Sequence, residues 1–450
     1  MAMEYEKFTA NANKAVRLNL VRDGKNIFEK PIHPAFMDSF FNEEVIVGYK
    51  DPKIRINFRA HDMKPTVKIS YSNKIQPDSK EVAVEMDLEE KLRPFLPEGT
   101  LGLEEDTAGA SSEITDETPP GECMHKYRDD GNDFEVWCAS LDDPDAHEVL
   151  ENFRILIPMF IEGGTTDFID GAYKEITEWS MRRWKVFLLY QVHDNRYNFV
   201  GFTTTYRLWV FPAPSVLEFL PQGTSLSTKL LEGPNLAAES DILSSPSRER
   251  IAQFFILPPF QRRSHGMQLY NTAMEHFLAD PYVFEVTVEE PNDHFDNLRD
   301  YCDLYRLEAL PLFSTITLPT SIPAESLLPE ADMPIELFIS TETINALRRS
   351  QKLNERQLRR LIELHLLGQI SPTHRSKARI TKKAASIDSQ DRAYYFWRLL
   401  VKHRVYERNR DELEQIDESE RLARVEASVA SLQEGYEALL IGYARRLKSG

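Results

Sequence analysis

The sequence predicts a mixed α/β fold that begins mostly β and ends almost wholly helical. Three observations predict it. Short apolar runs separated by turn signals fill residues 28–84. A strand–helix–strand–helix pattern runs from Ile251 to Tyr305. Beyond about residue 340 the apolar residues recur almost entirely at helical spacing.

In the N-terminal part, Glu44–Tyr49, Ile54–Phe58 and Val67–Tyr71 read as strands. Residues 98–122 break that pattern, with eight acidic residues, no Lys or Arg, and Pro119 and Pro120 near the end. So few apolar groups cannot offset the entropy of ordering, and a disordered acidic loop is expected. Residues 1–150 are taken as an N-terminal mixed domain around that loop. Between Glu151 and Leu310 the pattern is α/β. Lys185–Val192 and Phe199–Phe211 read as a hairpin through the turn-prone His193-Asp194-Asn195. Pro212–Arg250, rich in Pro, Ser and Gly, is expected to loop out. The strand Ile251–Leu257, the helix Gly266–Ala279, the strand Val283–Glu289 and the helix Asp293–Tyr305 follow. Strand, helix, strand implies a right-handed crossover and a parallel strand pair. Residues 151–310 form the second expected domain, and residues 311–450 a helical third. There Leu422, Val425, Val429, Leu432, Tyr436, Leu439 and Tyr443 make a heptad stripe, expected to pack within the chain.

The chain of 450 residues is too long for one ordinary core. Its 54 basic and 72 acidic residues leave a formal charge of −18. That disfavours direct nucleic-acid binding through a broad basic face and favours a basic partner, although solubility alone also accounts for it. No run of 18 uncharged apolar residues suggests a membrane span, and residues 1–14 lack the apolar run of a signal peptide. Cys123, Cys138 and Cys302 have no metal-ligand spacing, so reduced thiols and no metal are expected.

Chemistry concentrates at two places. In the first, the apolar strand Gln253-Phe254-Phe255-Ile256-Leu257 runs through Pro258-Pro259-Phe260-Gln261-Arg262-Arg263-Ser264-His265 to a helix beginning at Gly266. Met267, Tyr270, Ala273, Met274 and Phe277 give that helix one apolar face. Its first backbone N–H groups lack intrahelical partners, and with the helix dipole and Arg262 and Arg263 they suit a pyrophosphate. In the second, Phe284, Val286 and Val288 alternate with Glu285, Thr287 and Glu289, placing the latter three on the opposite face. Pro291 is expected to hold Glu290 extended and to end the strand. Two carboxylates at a strand end after a crossover helix lie where α/β sheets bind ligands, although a solvated acidic strand end fits the same spacing.

The turn Gln261–Gly266 resembles the Gln/Arg-x-x-Gly-x-Gly/Ala turn of the Gcn5-related N-acetyltransferases. The flanking Phe-Phe-Ile-Leu-Pro-Pro-Phe-Gln and Ser-His-Gly resemble its type B histone acetyltransferase version. Glu289-Glu290-Pro291-Asn292 is similar to that family's Glu-Asp-Pro followed by Asn, as is Phe295-Asp296-Asn297-Leu298-Arg299-Asp300. Ser264 stands where the first glycine is usual and is strained if φ is positive there. Glu290 replaces the usual Asp.

The resemblance covers roughly residues 28–310. It implies the acetyltransferase fold and acetyl-coenzyme A as cosubstrate, held by Gln261, Arg262, Arg263, Ser264, His265, Gly266, Met267 and Asn292 and by the strand at Phe254, Phe255 and Ile256. It further implies Glu289 as general base, with Glu290 beside it and Glu162, in Met159-Phe160-Ile161-Glu162-Gly163-Gly164, assisting. Glu43 and Glu44 are expected to meet basic tail residues, and Trp184, Tyr206 and Trp209 to line the lysine channel, although such aromatics also serve as core. The implied partners are the histone four N-terminal tail and a WD-repeat histone-binding subunit, and the implied location is cytoplasm and nucleus. Pro212–Arg250 and the C-terminal helices are candidate docking surfaces. Another basic protein or an N-terminus as substrate, or a non-catalytic acidic histone chaperone, are the alternatives.

Overall fold

Strands in which every second residue is apolar and buried build the N-terminal sheet. In the computed structural model these are β1 (Val16–Arg22), β2 (Lys53–Arg59) and β3 (Pro65–Ser70). The structure describes residues 6–75, 87–101, 117–166, 181–209, 243, 245–319, 321–323, 325, 333–380 and 388–447. Val16, Leu18 and Leu20 of β1 and Ile54, Ile56 and Phe58 of β2 are core residues. The strand β1 lies parallel to β2, with Val16 opposite Ile54, and β2 lies antiparallel to β3. It went unread in the sequence although Val-Arg-Leu-Asn-Leu-Val alternates cleanly.

Two compact units result. The first is built on the chain up to Trp209 together with Glu249–His276, the second on Phe277–Gly450 with Pro246–Arg248. In the first unit a further sheet contains β4 (Glu122–Asp129), β5 (Asn132–Ser140), β6 (Trp184–His193), β7 (Arg196–Trp209) and β8 (Ser247–Ile256), in the order β8-β7-β6-β5-β4. The helices α1 (Pro144–Phe153) and α2 (Leu156–Phe160) connect β5 toward β6, and α3 (His265–Ala279) follows β8. Residue 150 falls within α1, and β5 and β6 pair antiparallel on either side of it.

Both hairpins of this sheet turn through paired positive φ angles, Asp130 (+47°) with Gly131 (+79°) and Asp194 (+50°) with Asn195 (+59°). The expected hairpin at His193-Asp194-Asn195 is therefore present. Along it the register slips. Leu189 faces Gly201 but Tyr190 faces Phe199, so Val200 is an extra residue. A Cβ on Gly201 would stand 2.4 Å from Phe255 O, which explains an isolated glycine inside an apolar strand.

Of the acidic stretch 98–122, residues 102–116 lie outside the described residues, but its end is anchored. Glu117 accepts from Arg22 Nη1 at 2.9 Å and from Tyr197 N at 3.3 Å. Nearly all of Pro212–Arg250 up to residue 242 likewise lies outside the described residues, as do Phe168, Ile169 and Asp170.

The second unit holds β9 (Val283–Val288), then α4 (Asp293–Glu308), α5 (Thr341–Gln351), α6 (Glu355–Gly368), α7 (Ser389–Arg408) and α8 (Glu418–Leu447). Side chains of Asn292, Ser340, Asn354 and Asp388 cap α4 to α7. Leu347, Leu358, Leu361, Trp397, Val401, Val429 and Tyr436 belong to its core. Within the heptad stripe Val425, Val429, Tyr436 and Tyr443 are buried in that core, whereas Leu422 is 61% exposed. Glu363, at 2% exposure, takes two bonds from Arg404, at 2.6 and 2.8 Å, and one from Tyr436 OH at 2.9 Å. Tyr443 OH donates to Glu308 Oε2 at 2.5 Å.

Candidate active site

The cofactor-side candidates sit where β8 gives way to α3. Thr203 Oγ1 donates to Gln253 O at 2.7 Å, Thr204 Oγ1 to Gln253 Oε1 at 3.0 Å, and Leu257 N to Val200 O at 2.9 Å. The end of β8 is thus bound to the irregular part of β7. Phe255 and Ile256 are buried and Phe254 is half-buried. Gln261 is exposed, yet its Nε2 turns back to Ile256 O at 2.8 Å, so this side chain ties the turn to the strand it leaves. Arg262 has φ +62° and Ser264 +70°. The conditional strain at the serine is therefore real, and the neighbouring arginine shares it.

Ser264 O accepts from Met267 N at 3.0 Å and from Gln268 N at 3.2 Å, opening α3 one residue before the expected Gly266. His265, the first helical residue, is fully buried. Its ring packs 4.4 Å from that of Phe134, and Nδ1 lies 2.7 Å from Tyr127 OH. Burial pushes its pKa below the usual value, partly opposed by Asp129, so the ring stays neutral and fixes the start of α3 rather than contributing charge. Gly266 and Met267 are half-buried in the first turn. Arg262 and Arg263 are exposed, and Arg263 lies 3.2 Å from Asp130. Left-handed backbone, a helix start and two outward guanidinium groups form a donor set that fits a pyrophosphate.

Glu162 lies in an exposed turn just after α2. That turn is clipped to β8 on both sides. Phe160 stacks on Phe255 with centroids 4.7 Å apart, and Gln253 Nε2 donates to Thr165 O at 3.1 Å. The turn that carries Glu162 therefore runs beside β8.

The expected substrate residues divide. Glu43 is exposed at φ +53°, while Glu44, at +56°, accepts from Met37 N at 2.9 Å and from Asn13 Nδ2 at 3.1 Å. Glu44 therefore holds its own loop. Trp184 and Tyr206 are direct cross-strand partners, rings 4.8 Å apart, both half-buried. The Arg183 guanidinium lies 5.0 Å from the Tyr206 ring centroid. Trp209 ends β7, and its side chain lies outside the described residues.

In the second unit, Glu289 and Glu290 occupy an exposed bend just beyond β9. Glu290 has φ +36°, not the extended geometry expected before Pro291. Glu285 does not share the outward face expected for it. It is buried, with Oε2 2.6 Å from Arg248 Nε and Oε1 3.7 Å from Arg348 Nη2. Asn292 is exposed, and its Oδ1 caps α4 at Phe295 N, 2.9 Å away.

Sequence reasoning missed Gly201 and Tyr127. The first carried a readable signal, a lone glycine within a strand; the second carried none. Among the described residues one group has metal-ligand spacing, His374 with Asp388 and Asp391, but Arg379 Nε already lies 2.7 Å from Asp391.

Residues 8–162 match the family model described as "Histone acetyl transferase HAT1 N-terminus", and residues 326–371 match "Fungal HAT1, C-terminal". The chain is 34% identical to the histone acetyltransferase type B catalytic subunit of Aspergillus oryzae, over 98% of this chain and 87% of that one. Identity to the protein of that name from Gibberella zeae is 31%, over 98% and 92%. For the one from Schizosaccharomyces pombe it is 28%, over 97% and 93%.

Proposed function

The chain belongs to the family of type B histone acetyltransferase catalytic subunits, and on that premise we propose that it acetylates lysine side chains of the histone four tail, with Glu289 as the general base. The observation that carries the base assignment is the pair of exposed carboxylates in the left-handed bend after β9. Strained backbone of that kind is typical of reacting sites.

Acetyl-coenzyme A, when bound, supplies the activated acetyl thioester. The turn Arg262–Ser264 and the first N–H groups of α3 hold its pyrophosphate, with Gln261 and His265 fixing the turn. Backbone N–H groups near Phe254–Ile256 orient the thioester carbonyl. A lysine side chain is only roughly 0.04% neutral at pH 7. Glu289 takes the ammonium proton, directly or through one water, and leaves a nucleophilic amine. Glu290, next to the base in sequence, and Glu162, in the turn after α2, are proposed to assist it. Glu43 and the aromatic pair Trp184–Tyr206 contact the tail, whose basic residues match the chain's charge of −18. A WD-repeat histone-binding subunit is the proposed partner, and cytoplasm and nucleus the proposed locations. No helix among the described residues is long and apolar enough to cross a membrane.

The test is Glu289→Gln assayed with histone four tail peptide across pH. Turnover should fall about 10²- to 10³-fold at pH 7, with acetyl-coenzyme A affinity retained. The deficit should shrink toward pH 9, where more amine is already neutral. A deficit absent at every pH removes Glu289 from the role of base.

A further inference from the structure

We propose that Lys352, between α5 and α6, is a positioning residue for the carboxylates after β9, so that the C-terminal helical region sets the geometry of proton removal. The proposal rests on the reading of Glu289 as base.

Lys352 is 6% exposed and left-handed, with φ +52°. Glycine is the low-cost residue at such a helix end, so the lysine is there for its side chain. Its Nζ donates to Phe277 O at 2.8 Å and also to Asp280 O, carbonyls at and just beyond the end of α3 that also accept from Asp280 N and Val283 N, each at 3.3 Å. Its own carbonyl accepts from Val286 N at 2.7 Å, and Leu353 pairs in parallel with Val286. One residue therefore joins a helix end to the middle of β9.

The flanking residues extend the hold. Arg348 lies 3.7 Å from Glu285 on β9, and Gln351 Oε1 accepts from Arg306 Nε on α4 at 3.0 Å. Both elements that border the bend Glu289–Asn292 are thus tied to residues 348–353. The bend needs that support. Glu290 at φ +36° is in a sparsely populated conformation, which persists only where its surroundings over-determine it.

The full-length Lys352→Met variant tests this. Hydrogen exchange should quicken in peptides covering 283–292 and stay unchanged in peptides covering 253–266. The kcat should fall about 10- to 100-fold, as expected for a slightly misplaced reacting group, while acetyl-coenzyme A affinity holds within about twofold. Arg348→Gln should show the same pattern more weakly, and it carries the test if Lys352→Met does not fold. Faster exchange at 283–292 with unchanged kcat overturns the proposal. So does a parallel loss of kcat and cofactor affinity with faster exchange throughout. Glu289→Gln with unaltered turnover would instead refute the base alone, because the exchange pattern does not depend on which carboxylate reacts.

Discussion

At Ser264 the backbone adopts φ +70°, a region that costs a residue with a Cβ about 1 kcal/mol or more relative to glycine. Part of any relief on substitution is offset by the greater freedom of glycine in the unfolded chain. Ser264→Gly should therefore stabilise the protein by about 0.5 kcal/mol, read as a raised urea midpoint, with acetyl-coenzyme A binding equal or tighter by calorimetry. Weaker binding would assign the hydroxyl a part in holding the ligand. The turn was legible in the sequence because its signals are local: proline, a glycine, and a helical apolar face. Glu290 was misjudged as extended because a proline rule describes an average residue, whereas this bend is held by groups far away in sequence.

Among the elements, α6, α7 and α8 meet around one buried carboxylate, Glu363, held by Arg404 and Tyr436. Removing one partner of a buried pair leaves an uncompensated charge, typically at about 3–5 kcal/mol. Arg404→Met should reduce stability by that order in denaturant titration, and adding Glu363→Leu should restore much of it. If the single and double variants are equally unstable, packing rather than charge holds these helices. Such carboxylates are not legible in sequence, since Glu285 reads as an outward residue until its arginines are placed. The strand β1 failed differently. Its alternation was readable, but its parallel partner β2 lies beyond a long crossover, and no turn signal announces that pairing.

For the whole molecule, the charge of −18 gives a long-range attraction for a basic peptide. Raising NaCl from about 50 to 300 mM shortens the screening length from roughly 14 to 6 Å, so KM for the tail peptide should climb about threefold or more. A KM indifferent to salt would mean that contact residues alone select the substrate. Mixed α/β architecture with a helical end was legible at this scale because it follows from periodicity. The pairing of β5 with β6 was not, since the two strands are separated by more than forty residues and no turn signal joins them. The bond from Tyr436 to Glu363 also has a consequence in time, because its partners are 73 residues apart. At a synthesis rate of about 5–20 residues per second, Glu363 emerges roughly 4–15 s before the tyrosine that completes its shell. Glu308 and Tyr443 are 135 residues apart, which makes their wait about 7–27 s. The helical region is thus born with its polar core open, and its nascent chain spends those seconds as a candidate for chaperones.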